Sequence, residues 1–436
     1  MTLLIISPDY ASHLLPLATI GTAWRDAGER VVVATGPATA SIVESFGFER
    51  VNLQLGKGSN PGVIRAEDQP RGEDDALRGF FDATREGMIP TLAFQARARL
   101  SDLMWEPVRV AREVLAVVDA VGADSIIVDH LAFSARLALV AGGVPFADVV
   151  LGHPTALPVG NEVYGYPPQW PAAFTPSDAE LTALRELCVR VSDSFTAEWN
   201  TALAELAPQL PASPNAFAEH GELLLLNYPA ELSPPARTAV MPRHEFLGSA
   251  VRDEPRDPEV EEWLAASDEP FVYVSFGSFL SVRSDVLARV ARALEHLGLR
   301  VALARGSADE LPDLPPRWLV RDFLPQVTLL KRAAAAVTHG GNNSVTEAQT
   351  FGVPLVVLPF STDQFAGAAA IERSGVGVAL APNTATVEEL AAAIAGVLAG
   401  PRSPLAASLQ SDPGRDRAYR AVSQWRAAGE RRTRRE

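Results

Sequence analysis

The stretch Thr338–Gln364, THGGNNSVTEAQTFGVPLVVLPFSTDQ, constrains this chain more than any other. An apolar run, Ala333–Val337, leads into it and is short enough to be a buried strand. Gly340 and Gly341 then make a tight turn, where the missing Cβ lets backbone approach a ligand. Asn342, Asn343 and Ser344 are all good helix N-cap types. Val345–Phe351 is compatible with a helix, and Gly352-Val353-Pro354 stops it. A second buried strand, Leu355–Leu358, reaches Pro359 and the polar loop Ser361-Thr362-Asp363-Gln364. This order of strand, glycine turn, helix, strand and polar loop aims free N–H groups and a positive helix end at an anion, most often a phosphate.

The rest of the chain repeats the same grammar. Leu3–Ile6, Val31–Thr35, Ser125–Val128 and Leu223–Asn227 read as strands in the first half, and Phe271–Phe276 and Val301–Ala304 in the second. Helical periods separate them: Ser12–Gly28, Ala38–Phe46, about Phe80–Ala120, residues 178–209, Ser284–Leu297, Val387–Leu398 and Arg415–Ala428. Near-continuous apolar strands alternating with helices predict parallel, doubly wound α/β sheets. With 436 residues there is room for two domains. Proline and charge accumulate from Ser233 to Asp268. The expected division is therefore 1–236, a linker 237–268, a second domain 269–412, and a final helix with a basic tail, 413–436.

Composition removes several functions. A net charge of -15 argues against nucleic acid as a partner, since backbone binding needs a basic surface. A single cysteine, Cys188, excludes an intrachain disulfide and fits a reducing, cytoplasmic setting. Its neighbourhood, LRELCVRV, suggests packing and not reactivity. The opening MTLLIISPDY has no basic region and reads as a first strand. No run of 18 apolar residues is present, so no spanning helix is expected. Asp74-Asp75 sits in a charge run and is not a metal motif; no metal or cofactor is expected. The cluster Arg431-Arg432-Thr433-Arg434-Arg435 reads as a solvated end.

The central stretch resembles the nucleotide-sugar signature of family 1 glycosyltransferases, which are UDP-glycosyltransferase-like, share the GT-B fold and include bacterial natural-product enzymes. His339, Gly341, Ser344, Glu347, Gly352, Val353, Pro354, Pro359, Asp363 and Gln364 match in type and spacing. The resemblance implies two Rossmann-like domains facing across a cleft, with the last helix crossing back to the first. It places the diphosphate against His339, the N–H groups of Asn343 and Ser344, and Ser278 in the turn Ser-Phe-Gly-Ser. Val320–Leu330 is similar to the family's base-recognition segment, so Phe323 would stack on the nucleobase, with Leu324 and Gln326 beside it. Asp363 and Gln364 would hold sugar hydroxyls. Glu347 would accept from ribose hydroxyls, which leans the donor toward UDP over dTDP.

His13 lies at the first strand-to-helix junction, where such sheets bind ligands. On its own it is either a helix-start residue or a base in the cleft. The resemblance favours the base, because His13-Leu14-Leu15-Pro16 matches the family's His-x-x-Pro, although Ser12 replaces the usual glycine. Asp129, at the end of the strand Ser125–Val128, then matches the aspartate that orients the histidine. His130 is a second candidate for the acceptor site. The Pro-, Gly- and aromatic-rich loop Gly152–Ser177 carries Tyr164, Tyr166, Trp170 and Phe174, which either wall a bulky planar acceptor or pin the loop to the domain.

The implied activity is metal-independent, inverting transfer of a sugar from a nucleoside diphosphate to a hydroxyl of a small, largely apolar acceptor such as a secondary metabolite. A nucleotide-sugar epimerase-like enzyme of the same fold and a catalytically silent helper of a partner transferase are the alternatives. The sequence leaves a homodimer open.

Overall fold

The computed structural model describes residues 1–60, 73–100, 103–308 and 311–433. Two fully parallel sheets organise them. The first has seven strands: β1 (Thr2–Ile6), β2 (Arg30–Thr35), β3 (Glu49–Asn52), β4 (Ser125–Asp129), β5 (Ala147–Val150), β6 (Leu223–Leu226) and β7 (His244–Phe246). Their spatial order is β3-β2-β1-β4-β5-β6-β7. The second has six: β8 (Phe271–Ser275), β9 (Arg300–Ala304), β10 (Leu319–Arg321), β11 (Ala335–Thr338), β12 (Leu355–Val357) and β13 (Gly377–Ala379), in the order β10-β9-β8-β11-β12-β13. The α/β, doubly wound expectation is met in both halves.

The apolar runs explain the architecture. β1, β4, β5, β6 and β8 are buried along essentially their whole length, as strands covered on both faces must be. Each sheet reverses its winding once. In the first, β1 sits between β2 and β4, with Ile6 opposite Val128. In the second, β8 sits between β9 and β11, with Ser275 opposite Thr338. Ligands bind at the carboxyl ends of strands at such a reversal. Asp129 ends β4, Gly277 and His339 come just after β8 and β11, and His13 lies in the first turn of the helix that follows β1.

Some boundaries differ from expectation. The segment 237–268, anticipated as a linker, contributes β7, which pairs in parallel with β6. Leu247 and Ala250 also enter the first core. Three residues of strand surrounded by proline and charge carry no periodic signal, which hides β7; β3, β5, β10 and β13, of three or four residues each, are likewise absent from the sequence reading. Helix Gly414–Thr433 packs on helix Ala11–Asp26, placing Ala418, Val422 and Trp425 in the first core. Arg415 pairs there with Asp26, and the Tyr419 hydroxyl donates to Glu29. The crossing back of the last helix is thus observed. Among the described residues no helix is long and apolar enough to cross a membrane.

Candidate active site

The two reversal points face each other across a cleft of about 620 Å³. Its first wall is built from the turn after β1. The backbone leaves Ile6, and helix Ala11–Asp26 starts with His13 in its first turn. His13 Nδ1–H donates to Asp129 Oδ2 at 2.7 Å. Asp129 Oδ1 accepts from the Leu131 N–H at 2.8 Å, so both carboxylate oxygens are fixed. Asp129 is only 1% exposed, while His13 lines the cleft. This geometry assigns the proton to Nδ1 and leaves Nε2 as the free ring nitrogen. Burial works to lower the pKa of His13, but the Asp129 carboxylate, with Asp363 further off, outweighs it, and the pKa stands raised above 6.5.

The second wall follows β8 and β11. His339 lies between two glycines. A Cβ at Gly277, whose φ is +68°, would sit 2.9 Å from His339 Cε1, and one at Gly341 would strike the ring's Nε2. Both glycines therefore make room for the imidazole. Burial pulls the His339 pKa down to about 4, so the ring is neutral near pH 7. Helix Asn342–Thr350 has Gly341 at its N-cap and no side-chain cap. That corrects the expectation that Asn342, Asn343 or Ser344 would cap it. Their side chains are used elsewhere: Asn342 Nδ2 donates to Leu151 O at 2.6 Å and Asn227 O at 2.9 Å, and Asn343 Nδ2 to Ser12 O at 3.2 Å. Both asparagines tie the second half to the first, and the uncapped first turn keeps its positive end on the cleft.

Phe323 is 65% exposed and lines the cleft. A phenylalanine left in water on a concave wall is a surface for a planar ligand. Leu324 beside it is buried yet borders the cleft. Gln326 borders it too, and its Oε1 accepts from Ser344 Oγ at 3.3 Å. Gly341, Asn343, Ser344 and Asp363 are also on the wall. The side chain of Ser278 lies outside the described residues, as do those of Asp74 and Asp75; the backbone at Ser278 belongs to the short helix Gly277–Leu280.

Five expected residues are placed differently. Glu347 is buried and does not reach the cleft wall. Its Oε1 accepts from Arg252 Nη1 at 2.9 Å and its Oε2 from Gln326 Nε2 at 2.6 Å. Arg252 and Gln326, and not Glu347, line the cleft there. Gln364 is buried, with Oε1 accepting from the N–H groups of Phe360 and Ser361; it holds the turn that carries Asp363. His130 is 1% exposed and lies behind the wall against Asp148 and Arg136, where burial lowers its pKa; its neighbour Leu131 takes the place on the cleft. Trp170 and Phe174 pack on the helical core of the first half, Phe174 edge-on to Phe365, so they pin the loop. Only Tyr164 and Tyr166 of that aromatic set reach the cleft.

Several wall residues gave no sequence signal, among them Arg99, Arg252, Tyr273 and Thr362. Thr362 has a φ of +47°, an uncommon conformation for a β-branched residue. Gln95 holds its N–H, and its hydroxyl donates to Asp363 Oδ1 at 2.9 Å. Asp363 Oδ2 in turn accepts from the His153 N–H at 2.6 Å, a bond across the two halves. The strained turn fixes this carboxylate on the wall. Among the described residues there is no cluster of three or more His, Cys, Asp or Glu suited to a metal. Cys188 is buried, its pKa pushed up to about 11 by burial.

Residues 183–406 match the sequence profile of the family described as "UDP-glucoronosyl and UDP-glucosyl transferase". A UDP-glucosyltransferase of Bacillus subtilis (strain 168) is 33% identical over 131 residues, which span 28% of this chain and 32% of that protein. The chain thus spans about a third of the length of that curated relative. Two solved structures align along nearly the whole chain. The glycotransferase of kitacinnamycin has a TM-score of 0.63 at 21% identity, covering 99% of this chain and 98% of that one. The spinosyn rhamnosyltransferase SpnG, complexed with thymidine diphosphate, has a TM-score of 0.64 at 18% identity, covering 97% and 100%. At these identities the likeness is one of fold, and the fold is GT-B.

Proposed function

The chain belongs to the UDP-glucoronosyl and UDP-glucosyl transferase family, and from that premise we propose that it is an inverting glycosyltransferase using a nucleoside diphosphate sugar. The observation that carries the reading is the His13–Asp129 pair lying across one cleft from Phe323, His339 and the uncapped helix end.

In this reading the nucleobase stacks on Phe323, and the diphosphate meets His339 and the first turn of helix Asn342–Thr350. An acceptor hydroxyl lies against His13. Its proton passes to Nε2 as its oxygen bonds to the anomeric carbon. The bond from that carbon to the phosphate oxygen breaks, and its electron pair leaves with the diphosphate. Asp129 stabilises the imidazolium that forms. Neutral hydrogen-bond donors and a helix dipole, set in advance, stabilise the charge on the leaving group, and the proposal needs no metal.

We take UDP as the donor nucleotide on the strength of the family. A second reading, dTDP, is favoured by one observation: Glu347 is not among the residues lining the cleft and is held by Arg252 and Gln326, so the carboxylate argument for a ribose loses its footing. Calorimetric titration with UDP and dTDP tests both. Nucleotide binding should weaken by roughly ten- to a hundredfold in Phe323→Ala, since one base stacked on an aromatic is worth about 1–3 kcal/mol. Stronger binding of UDP supports the first donor, and stronger binding of dTDP the second. Binding of neither nucleotide contradicts the transferase reading.

A further inference from the structure

The wall that the first half contributes to the cleft has a charge pattern the reaction does not require. It is mostly apolar and aromatic, with Leu15, Leu131, Leu151, Tyr164 and Tyr166 among its residues. Among the described residues no aspartate or glutamate of the first half lies on it. Besides His13 it carries, among the described residues, one ionisable nitrogen group, Arg99, at the end of helix Met88–Arg99. The arginine on the opposite wall, Arg252, is neutralised by Glu254 and Glu347. Among the described residues no carboxylate and no hydrogen-bond acceptor pairs with Arg99.

Arg99 is nevertheless held in place. Its guanidinium lies 5.1 Å from the centre of the Tyr164 ring. Tyr164 stacks on Phe217 at 3.8 Å and 8°, and Phe217 on Phe195 at 4.2 Å and 24°. Gly165 follows at a φ of +82°, and a Cβ there would meet Arg99 Nη1 at 3.1 Å. The ring takes one face of the guanidinium and leaves its N–H edge without an acceptor among the described residues. A planar cation on a rigid aromatic base, in a mostly apolar wall, is suited to two parallel N–H···O bonds with a carboxylate.

We infer that the acceptor is an acid: a planar, largely apolar body with a hydroxyl for His13 at one end and a carboxylate for Arg99 at the other. This rests on the transferase reading and adds the charge of the substrate to it. Sulfate or phosphate esters share the chemistry, but the flat guanidinium edge favours a carboxylate.

The test uses hydroxynaphthoic acid and its methyl ester, which share body and hydroxyl and differ in charge. Affinities for both are measured by protein fluorescence in wild type, Arg99→Gln and Arg99→Lys, each saturated with UDP. The acid should bind wild type at least about tenfold more tightly than the ester, the range of one charge-assisted contact. Arg99→Gln should remove that preference by weakening the acid alone, and Arg99→Lys should restore part of it. Equal binding of acid and ester to wild type, no binding of the acid, or equal weakening of both compounds by Arg99→Gln would overturn the inference. The last result would reduce Arg99 to a prop for Tyr164. UDP affinity of the same proteins reports separately on the transferase reading, so the two failures are distinguishable.

Discussion

Replacing His13 by alanine should slow sugar transfer by about 10²- to 10⁴-fold, the usual worth of a positioned general base, and leave nucleotide affinity unchanged. The separation follows from geometry, because His13 belongs to the first half and the nucleotide-facing residues to the second. The pH profile gives a sharper signature. The base must be neutral, and its pKa stands above 6.5 because Asp129 outweighs burial. The acid limb of the rate should therefore fall above pH 6.5. Asp129→Asn removes the raising charge and leaves the lowering effect of burial, so the limb should move to lower pH while the plateau drops. The same linkage has a sign for stability. A pKa raised on folding contributes stability that is fully present below 6.5 and is lost as pH rises through the folded value. Asp129→Asn should thus cost most stability at acid pH. An acid limb that stays in place in Asp129→Asn would remove His13 from the role of base.

The largest effect on stability is expected behind that pair. Asp148, on β5, is fully buried, and its Oδ2 accepts from the Gly221 N–H at 2.6 Å. Its Oδ1 lies 3.3 Å from Arg136 Nε, also fully buried. Arg136 donates to the carbonyls of His130 and Glu219, so it clamps the turn that carries Asp129. Asp148→Ala strands a cation in the core and should cost about 3–5 kcal/mol in urea unfolding. The double change Asp148→Leu with Arg136→Met removes both charges and should cost less than Asp148→Ala alone. Burial pushes the Asp148 carboxyl up, but Arg136, His130 and the Gly221 N–H together more than compensate and hold it below its usual 3.8. Its contribution is present above pH 3.8 and lost as pH falls through the depressed value, so the deficit of the variant should shrink only in strong acid. A double variant no more stable than Asp148→Ala would argue against the clamp.

What was legible in the sequence depended on how local the signal was. The segment from β11 to the loop after β12 is continuous, and its order of strand, glycines and helix could be read directly. Asp129 and His13 sit at ends of apolar strands, where parallel sheets bind ligands, but that position alone left His13 open, and the family resemblance favoured the base. Residues whose role depends on which way a side chain turns were not. Tyr164 and Trp170 share one loop and pack on one helical core, yet only the first also reaches the cleft. Glu347 has the right type and spacing, but Arg252 covers it, and Arg252 came from a charge-rich stretch read as linker. Arg99 closes a helix whose sequence, ARAR, looks like any solvated end. A one-dimensional pattern does not say that two halves of a chain will place such a residue on a shared wall.

Inverting transfer to a hydroxyl is read out by the anomeric configuration of the product. The protein is incubated with an α-linked UDP-sugar or dTDP-sugar and a hydroxynaphthoate acceptor, and the glycoside is followed by proton NMR. The account predicts a β-glycoside formed in step with nucleoside diphosphate release, and none with His13→Ala. An α-glycoside, or an isomerised donor with no glycoside, would contradict it.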